Sequence, residues 1–435
     1  MDWSLSLCLS IALMLLLFFA GVPVFVTFLI INIGGVLWLL GGSGFGLFAN
    51  SIYQTITTGA LAAVPLFVLM GEILFRSGTI EILIASVDKL VGRFRGRDYV
   101  LVSSLSVLFG ALCGSTTAVA ALLGRTIMPA MKEQGYEIKL TSGVMLGGAT
   151  LAAIIPPSAL VVILGSLVDV SIASLLIAGL IPGVLLALLI LGYTYIRVLY
   201  NPKLEPAFSP RAGNNSNLAQ KFLALAMILP FGLVIFFVMG LIMLGIATPS
   251  ESAATGVVGA IIAAAVYRRL SLRLLLDSFL STVCISAMIL IIMVSSQLFG
   301  QLLAFIGATS GLMQAITRLD FSSGWMFLIL MIVPFILCMF IDLFAVMFVA
   351  VPVYLPLVKH FHFEPVWFWM LLVINLALGA MTPPFGYTLF ALKGAADVEL
   401  NDIYLGAWPV VFIFLLGMII MYYLPPIITF LPRLF

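Results

Sequence analysis

Four short stretches of this chain carry residue types that could do chemistry, and in each the chemistry is ligation of a small ion rather than bond making. Gly114-Ser115-Thr116-Thr117 sets three hydroxyls in a row inside an apolar segment. Such oxygens suit a hard monovalent cation such as sodium and make poor proton relays. Close packing of helices on small residues is the competing use of the same tetrad. Asp342 stands near the middle of another apolar segment. An ionisable group in mid-span is costly and usually functional, which makes it a candidate cation ligand, with a structural ion pair as the competing role.

Two proline pairs complete the set, one in Ala153-Ile154-Ile155-Pro156-Pro157-Ser158 and one in Ala380-Met381-Thr382-Pro383-Pro384-Phe385-Gly386. Each proline lacks the N–H that would bond the carbonyl four residues earlier, so the carbonyls of Ala152, Ala153, Gly379 and Ala380 are released. A freed carbonyl persists in lipid only where protein buries it or it lines a polar cavity. Carbonyls at a half-helix end ligate small cations, whereas a half-helix N-terminus favours an anion. A proline pair in each half therefore suggests two cation sites beside one anion site. A kink relieved by nearby hydroxyls or water is the alternative. Ser158 and Thr382, the hydroxyls within the breaks, join Ser115, Thr116 and Thr117 as candidate substrate contacts. Arg125 could grip a carboxylate bidentately, although its position near the end of its segment favours snorkelling to the interface. Glu72 is the remaining charge inside an apolar stretch, with no role legible from the sequence.

These residues need apolar elements to hold them, and the composition supplies them. Of 435 residues, 63% are hydrophobic and 8% charged, which excludes a soluble globular domain. Runs such as Leu218 to Met239 and Ile403 to Leu424 match or exceed the roughly 20 residues that cross a hydrocarbon core. Met1-Asp2-Trp3 has no basic leader, and Ala20-Gly21-Val22-Pro23 runs straight into further apolar sequence, so the first stretch reads as a retained helix. Cys8, Cys113, Cys284 and Cys338 lie in apolar stretches without metal-type spacing and read as small core residues. The net charge of +2 comes from loop markers rather than a basic patch, so no nucleic-acid partner is expected. Walker A, HExxH and GxSxG signatures are all absent, so the chain is not expected to be an enzyme, and an ion gradient or a partner must supply energy. Thr248-Pro249-Ser250-Glu251 reads as a helix start.

A polar, proline- and asparagine-rich linker over 200–217 divides a first repeat, 1–199, from a second, 218–435. An offset of 227 lays Pro129, Pro156, Pro157 and Pro182 on Pro356, Pro383, Pro384 and Pro409, and Lys132, Ala153 and Gly179 on Lys359, Ala380 and Gly406. Proline is too costly within helices for four such matches to reflect shared composition. Counting Lys and Arg orients the chain. With Arg76, Lys89, Arg93, Arg95, Arg97, Lys132, Lys139, Arg197, Lys203, Arg211, Lys221, Arg268, Arg269, Arg273 and Lys393 facing the cytoplasm, only Arg318, Lys359 and Arg433 fall outside and Arg125 within the membrane. The apolar stretch of about 99–131 then leaves the membrane on the side it entered, as a hairpin whose tip is Gly114 to Thr117. A second hairpin, about 325–358, inserts from the opposite side, and the offset lays Ser115 on Asp342.

The expected fold is an all-α polytopic membrane protein of two inverted repeats, each with a re-entrant hairpin and a broken helix, with a midplane site between them. The first repeat should hold helices near 4–20, 22–40 and 55–75, a lateral amphipathic helix near 79–92, the hairpin, a broken helix about 141–168 and a long helix about 171–199. The second repeat should follow the same order, with its broken helix about 366–393. That amounts to about ten full crossings.

Taken in order, Pro65-Leu66-Phe67-Val68-Leu69-Met70-Gly71-Glu72, Gly114 to Ala118, Ile155 to Ser158, Thr382 to Gly386 and Gly245 to Glu251 resemble the large membrane subunit of the tripartite ATP-independent periplasmic (TRAP) transporters, over essentially the whole chain. The resemblance implies an elevator-type, sodium-coupled importer of a small organic acid, such as a C4-dicarboxylate or sialic acid, in the bacterial inner membrane. It implies two partners, a small four-helix membrane subunit and a periplasmic substrate-binding protein. The four-helix segment is not recognisable here, so a separate polypeptide is expected to supply it. By matching motifs, a first sodium site falls to Gly114, Ser115 and Thr116 with Ala152, Ala153 and Pro156, and a second to Asp342 with Gly379, Ala380, Thr382 and Gly386. A stand-alone sodium/carboxylate symporter is the nearest alternative. An ion channel fits less well because no symmetric ring of pore-lining oxygens is evident.

Overall fold

The computed structural model describes residues 3–91, 96–168, 170–204, 218–318 and 321–435. Arg93, Arg95, Arg211 and most of the expected linker, 205–217, lie outside the described residues, as does the side chain of Cys113. All regular structure among the described residues is helical. The first half holds α1 (Trp3–Phe19), α2 (Val24–Leu40), α3 (Phe45–Ile56), α4 (Ala63–Arg76), α5 (Ile80–Leu90), α6 (Arg97–Cys113), α7 (Thr116–Thr126), α8 (Met128–Glu133), α9 (Ile138–Leu151), α10 (Ala159–Leu167), α11 (Ile172–Ala178) and α12 (Leu180–Tyr200). The second half holds α13 (Leu218–Met243), α14 (Pro249–Val266), α15 (Leu272–Phe305), α16 (Ala308–Arg318), α17 (Ser323–Cys338), α18 (Leu343–His360), α19 (Pro365–Ala380), α20 (Tyr387–Ala395), α21 (Leu400–Tyr423) and α22 (Pro426–Leu434).

The repeat is visible in where helices start. The pairs α6 and α17, α7 and α18, α9 and α19, and α10 and α20 begin within one residue of the 227 offset. Hairpins are formed by α6 with α7 and by α17 with α18, and broken helices by α9 with α10 and by α19 with α20. One expectation differs. The helix near 55–75 is two helices, α3 and α4, separated by a 3-10 turn at Gly59–Ala62, whereas its counterpart α15 runs unbroken for 34 residues. Gly59 and Pro65 weaken the helix in the first repeat, and the offset puts Ser286 and Ile292 at those places in the second.

Six spans, Ile172–Tyr200, α13, α14, α15, α18 and α21, are long and apolar enough to cross a membrane unaided, and α1, α2, α17 and α19 are shorter apolar helices. Of the ten expected crossings, the helix near 55–75 and the two broken helices are divided into shorter pieces, α1 and α2 are unbroken 17-residue helices, and Ile172–Tyr200, α13, α14, α15 and α21 are the long ones.

The halves interlock rather than sit side by side. α9 packs on α21 of the other repeat while α19 packs on α11, and α7 packs on α20 while α18 packs on α10. Glycine makes the closest crossings possible. A Cβ on Gly179 would fall 2.2 Å from the Ile154 carbonyl oxygen, and one on its repeat partner Gly406 would fall 2.0 Å from that of Lys139. Within each repeat the hairpin lies equally close to the broken helix: a Cβ on Gly110 would meet Ala152 Cα at 2.9 Å, and one on Gly379 would meet Cys338 Cβ at 2.6 Å.

Around this body, α4 packs on α14 and α15, α13 on α14, and α15 on α2. The predicted start of α14 is a capping box: Thr248 Oγ1 accepts from the Glu251 N–H at 3.3 Å, and the Glu251 carboxylate accepts from the Thr248 N–H at 2.8 Å. Buried Arg97 fastens α5 to the first hairpin, donating through Nη2 to Asp88 at 2.9 Å and through Nη1 to Asp98 at 2.8 Å.

Gly406→Ala is expected to lower stability by about 1–3 kcal/mol through overpacking. Gly192→Ala, with nothing within 4 Å of the added carbon, is expected to leave it unchanged or raise it by up to about 1 kcal/mol. Thermal unfolding of the detergent-solubilised variants reads both.

Candidate ion and substrate site

Each hairpin turns by the same local device. A helix N-terminus leaves N–H groups without partners, and a short polar side chain at the cap accepts from them. At the first tip α6 ends on Gly114, whose φ of +60° suits glycine, and Ser115 caps α7 by accepting from the Ala118 N–H at 3.4 Å. The Ser115 and Thr117 hydroxyls lie 3.1 Å apart. At the second tip Asp342 caps α18, its carboxylate accepting from the Phe344 N–H at 2.9 Å and the Ala345 N–H at 3.4 Å. Ser115 and Asp342, equivalent by the offset, therefore hold the same structural post with different charge.

The breaks dispose of their freed carbonyls in different ways. In the first, buried throughout 152–158, Ser158 caps α10 and donates its hydroxyl to the Ala153 carbonyl at 2.7 Å. In the second, the Gly379 carbonyl accepts from the Thr382 N–H at 3.0 Å, and the Thr382 hydroxyl donates to the Leu378 carbonyl at 2.7 Å. The Ala380 and Thr382 carbonyl oxygens crowd Gly386, where a Cβ would meet them at 2.6 and 2.8 Å, and Tyr404 donates its hydroxyl to the Pro384 carbonyl. Only glycine leaves room for both oxygens there.

Tertiary packing brings the tips together. A cavity of 580 Å³ is lined by Gly114 and Ser115 from the first hairpin and Asp342 from the second, with Ala159 from the first break. Glu72 of α4 and apolar residues of α2 and α15 complete the lining. Glu72 is held in an ion pair with Arg76 at 2.6 Å. The first tip rests on its break, since a Cβ on Gly114 would sit 3.1 Å from the Pro157 carbonyl oxygen. The size and the apolar walls carrying a few polar groups are those of a small-ligand site. No cluster of three His, Cys, Asp or Glu side chains occurs among the described residues. The oxygens on offer are hydroxyl, carboxylate and carbonyl, a set matched to a hard cation.

Not every candidate arrives there. Arg125 is exposed at the far end of α7, about 15 Å along the helix axis from Ser115. Ser158 and Thr382 are buried with their hydroxyl protons committed to backbone carbonyls. Tyr387, which the sequence did not single out, begins α20 and lies beside Thr116, the Leu343 backbone and Asp342, between the two tips. Its signal in the sequence was slight: a phenol directly after the Gly386 break, where the offset places Leu160 in the other half.

The family model described as "Tripartite ATP-independent periplasmic transporter, DctM component" matches residues 11–427. The chain is 29% identical over 388 residues to a C4-dicarboxylate TRAP transporter large permease protein of Pseudomonas aeruginosa, covering 88% of this chain and 89% of that one. It is 29% identical over 378 residues to an ectoine/5-hydroxyectoine TRAP transporter large permease protein of Ruegeria pomeroyi, covering 86% of each. It is 27% identical over 377 residues to a sialic acid TRAP transporter permease protein of Haemophilus influenzae, covering 86% of this chain and 60% of that one. Among solved structures, the YdaH transporter of Alcanivorax borkumensis superposes with a TM-score of 0.58 at 15% identity over 89% of this chain and 91% of that chain, a likeness of fold.

Asp342→Asn keeps an oxygen to cap α18 and should lower stability by only a few tenths of a kcal/mol, whereas Asp342→Ala removes the cap and should cost about 1 kcal/mol. Parallel melting curves of the two variants distinguish the cap from the charge.

Proposed function

Because the chain belongs to the DctM component of the tripartite ATP-independent periplasmic transporters, a family of multi-pass permeases rather than enzymes, we propose that it imports a small organic acid coupled to sodium. The observation that carries this reading is a cavity lined by both hairpin tips, with Ser115 from one repeat and Asp342 from the other. Ser115 and Thr116 hydroxyls would serve one sodium ion together with the first break. The Asp342 carboxylate would serve another beside the Ala380 and Thr382 carbonyls at Gly386, whose crowding fits an oxygen cradle. Sodium is cargo here, moving with the substrate. Tyr387, between the tips, would hold Thr116 and Asp342 in register.

The substrate class follows from the relatives, named for a C4-dicarboxylate, sialic acid and ectoine, all of which carry a carboxylate. Two partners follow from the tripartite family: a small membrane subunit and a periplasmic substrate-binding protein, at the bacterial inner membrane. Transport would proceed by an elevator motion, in which the interlocked hairpins and broken helices slide as one body against α2, α4, α14 and α15. The cavity lies along that boundary. Two sodium ions per dianion would be electroneutral and driven by the sodium gradient alone, whereas a third would carry one net positive charge inward and gain about 2.3 kcal/mol per 100 mV besides.

Reconstituting the chain with its small subunit in liposomes, and following a labelled carboxylate with and without the binding protein and an inward sodium gradient, tests the reading. Uptake should require both. Asp342→Asn should raise the half-saturating sodium concentration by about tenfold or more, the worth of one charged ligand. Uptake without the binding protein would identify a stand-alone symporter instead.

A further inference from the structure

Away from the tips, two hollows meet on the outer face of the second repeat. An apolar groove of 560 Å³ runs between α17, α19 and α21, with Phe327, Met331 and Leu415 in its lining. Its rim includes Trp325 and Tyr423, which are 63% and 75% exposed and so stand free of the packed body. A second hollow of 430 Å³ shares Tyr422 and Tyr423 with the first, and His362, Glu364, Thr429 and Arg433 add polar groups to a lining that also includes Phe363, Trp367 and Pro425.

The dimensions and the charge fit one kind of occupant. The groove's lining on α17 extends from Ser322 to Phe335, about 20 Å at the helical rise, and one leaflet's share of the hydrocarbon core is about 15 Å. Trp325, Tyr422 and Tyr423 stand at its outer end, the level at which amphipathic rings settle at a membrane interface. In this second hollow Glu364 caps α19, accepting from the Trp367 N–H at 2.5 Å, and Arg433 forms no ion pair among the described residues. The hollow therefore presents a guanidinium without an ion-pair partner among the described residues, with the Glu364 carboxylate elsewhere in the same lining, at the mouth of an apolar slot. By the Lys and Arg count this end faces away from the cytoplasm.

We propose that the groove and the hollow together bind one glycerophospholipid of the extracytoplasmic leaflet, an acyl chain lying between α17 and α21 and the phosphate against Arg433. A guanidinium takes a phosphate through paired N–H donors, and the slot gives the chain a protein wall in place of fluid neighbours. α17 is the outer helix of the second hairpin, so the lipid braces the arm that carries Asp342. Buried Asn375, which donates to the Met331 carbonyl at 2.8 Å, ties α19 to α17 beneath it.

The test reconstitutes the chain with its small subunit in phosphatidylethanolamine vesicles containing a trace of phosphatidylglycerol with a diazirine on one acyl chain, followed by photolysis and peptide mapping. Adducts should concentrate on α17 and α21 relative to lipid-facing α13 in the same sample. Arg433→Ala should lower labelling of α17 by about fivefold, the worth of one basic residue beside an anionic lipid. Leu328→Trp, which fills the slot, should abolish it while α13 labelling persists, showing that the protein is intact. Equal labelling of α13 and α17, or labelling of α17 indifferent to both substitutions, would overturn the proposal. So would labelling of α17 seen only when the small subunit is left out, which would give the groove to a protein helix.

Discussion

Everything in this protein follows from the rule that a backbone N–H or carbonyl has no water to turn to inside a membrane. Two hairpin tips and two proline breaks violate helical pairing in the middle of the chain, and each is tolerated because something nearby takes over the missing bond. Ser115 and Asp342 accept from the starts of α7 and α18, Ser158 donates to the carbonyl of Ala153, and the Thr382 N–H serves Gly379. At the second break the Thr382 carbonyl accepts from the Gly386 N–H at 3.2 Å and, with the Ala380 carbonyl, crowds that residue so closely that only glycine fits.

Interlocking of the repeats makes this arrangement rigid enough to be useful. Because α9 leans on α21 and α19 on α11, with glycines at the crossings, neither half can relax its break without displacing the other. Such close packing transmits displacement rather than absorbing it. The cavity lies where this body meets α2, α4 and α15.

Departures from the repeat's symmetry locate function more sharply than the symmetry does. Ser115 and Asp342 share a capping role but differ by a charge, and Tyr387 replaces a leucine at the position that reaches between the tips. α3 and α4 are separate where α15 is continuous. A duplicated fold sets up equivalent positions, and single substitutions then make the two hairpin tips unequal.

Composition, the spacing of prolines and the distribution of Lys and Arg were enough to determine a polytopic helical chain, two repeats at a fixed offset, both hairpins and both breaks. These are local or periodic properties, written into stretches of sequence that must satisfy their own backbone. The capping box at Thr248 to Glu251 was legible for the same reason. Which polar groups meet depended on packing between segments some two hundred residues apart, about which local pattern carries no information. Only the tertiary structure placed Tyr387 between the tips, brought Glu72 into the lining of the cavity that holds Asp342, turned Ser158 and Thr382 inward onto the backbone, and left Arg125 at the far end of α7. A side chain's neighbours across an interface are decided by the rotation and depth of two helices at once, and both are properties of the assembled fold.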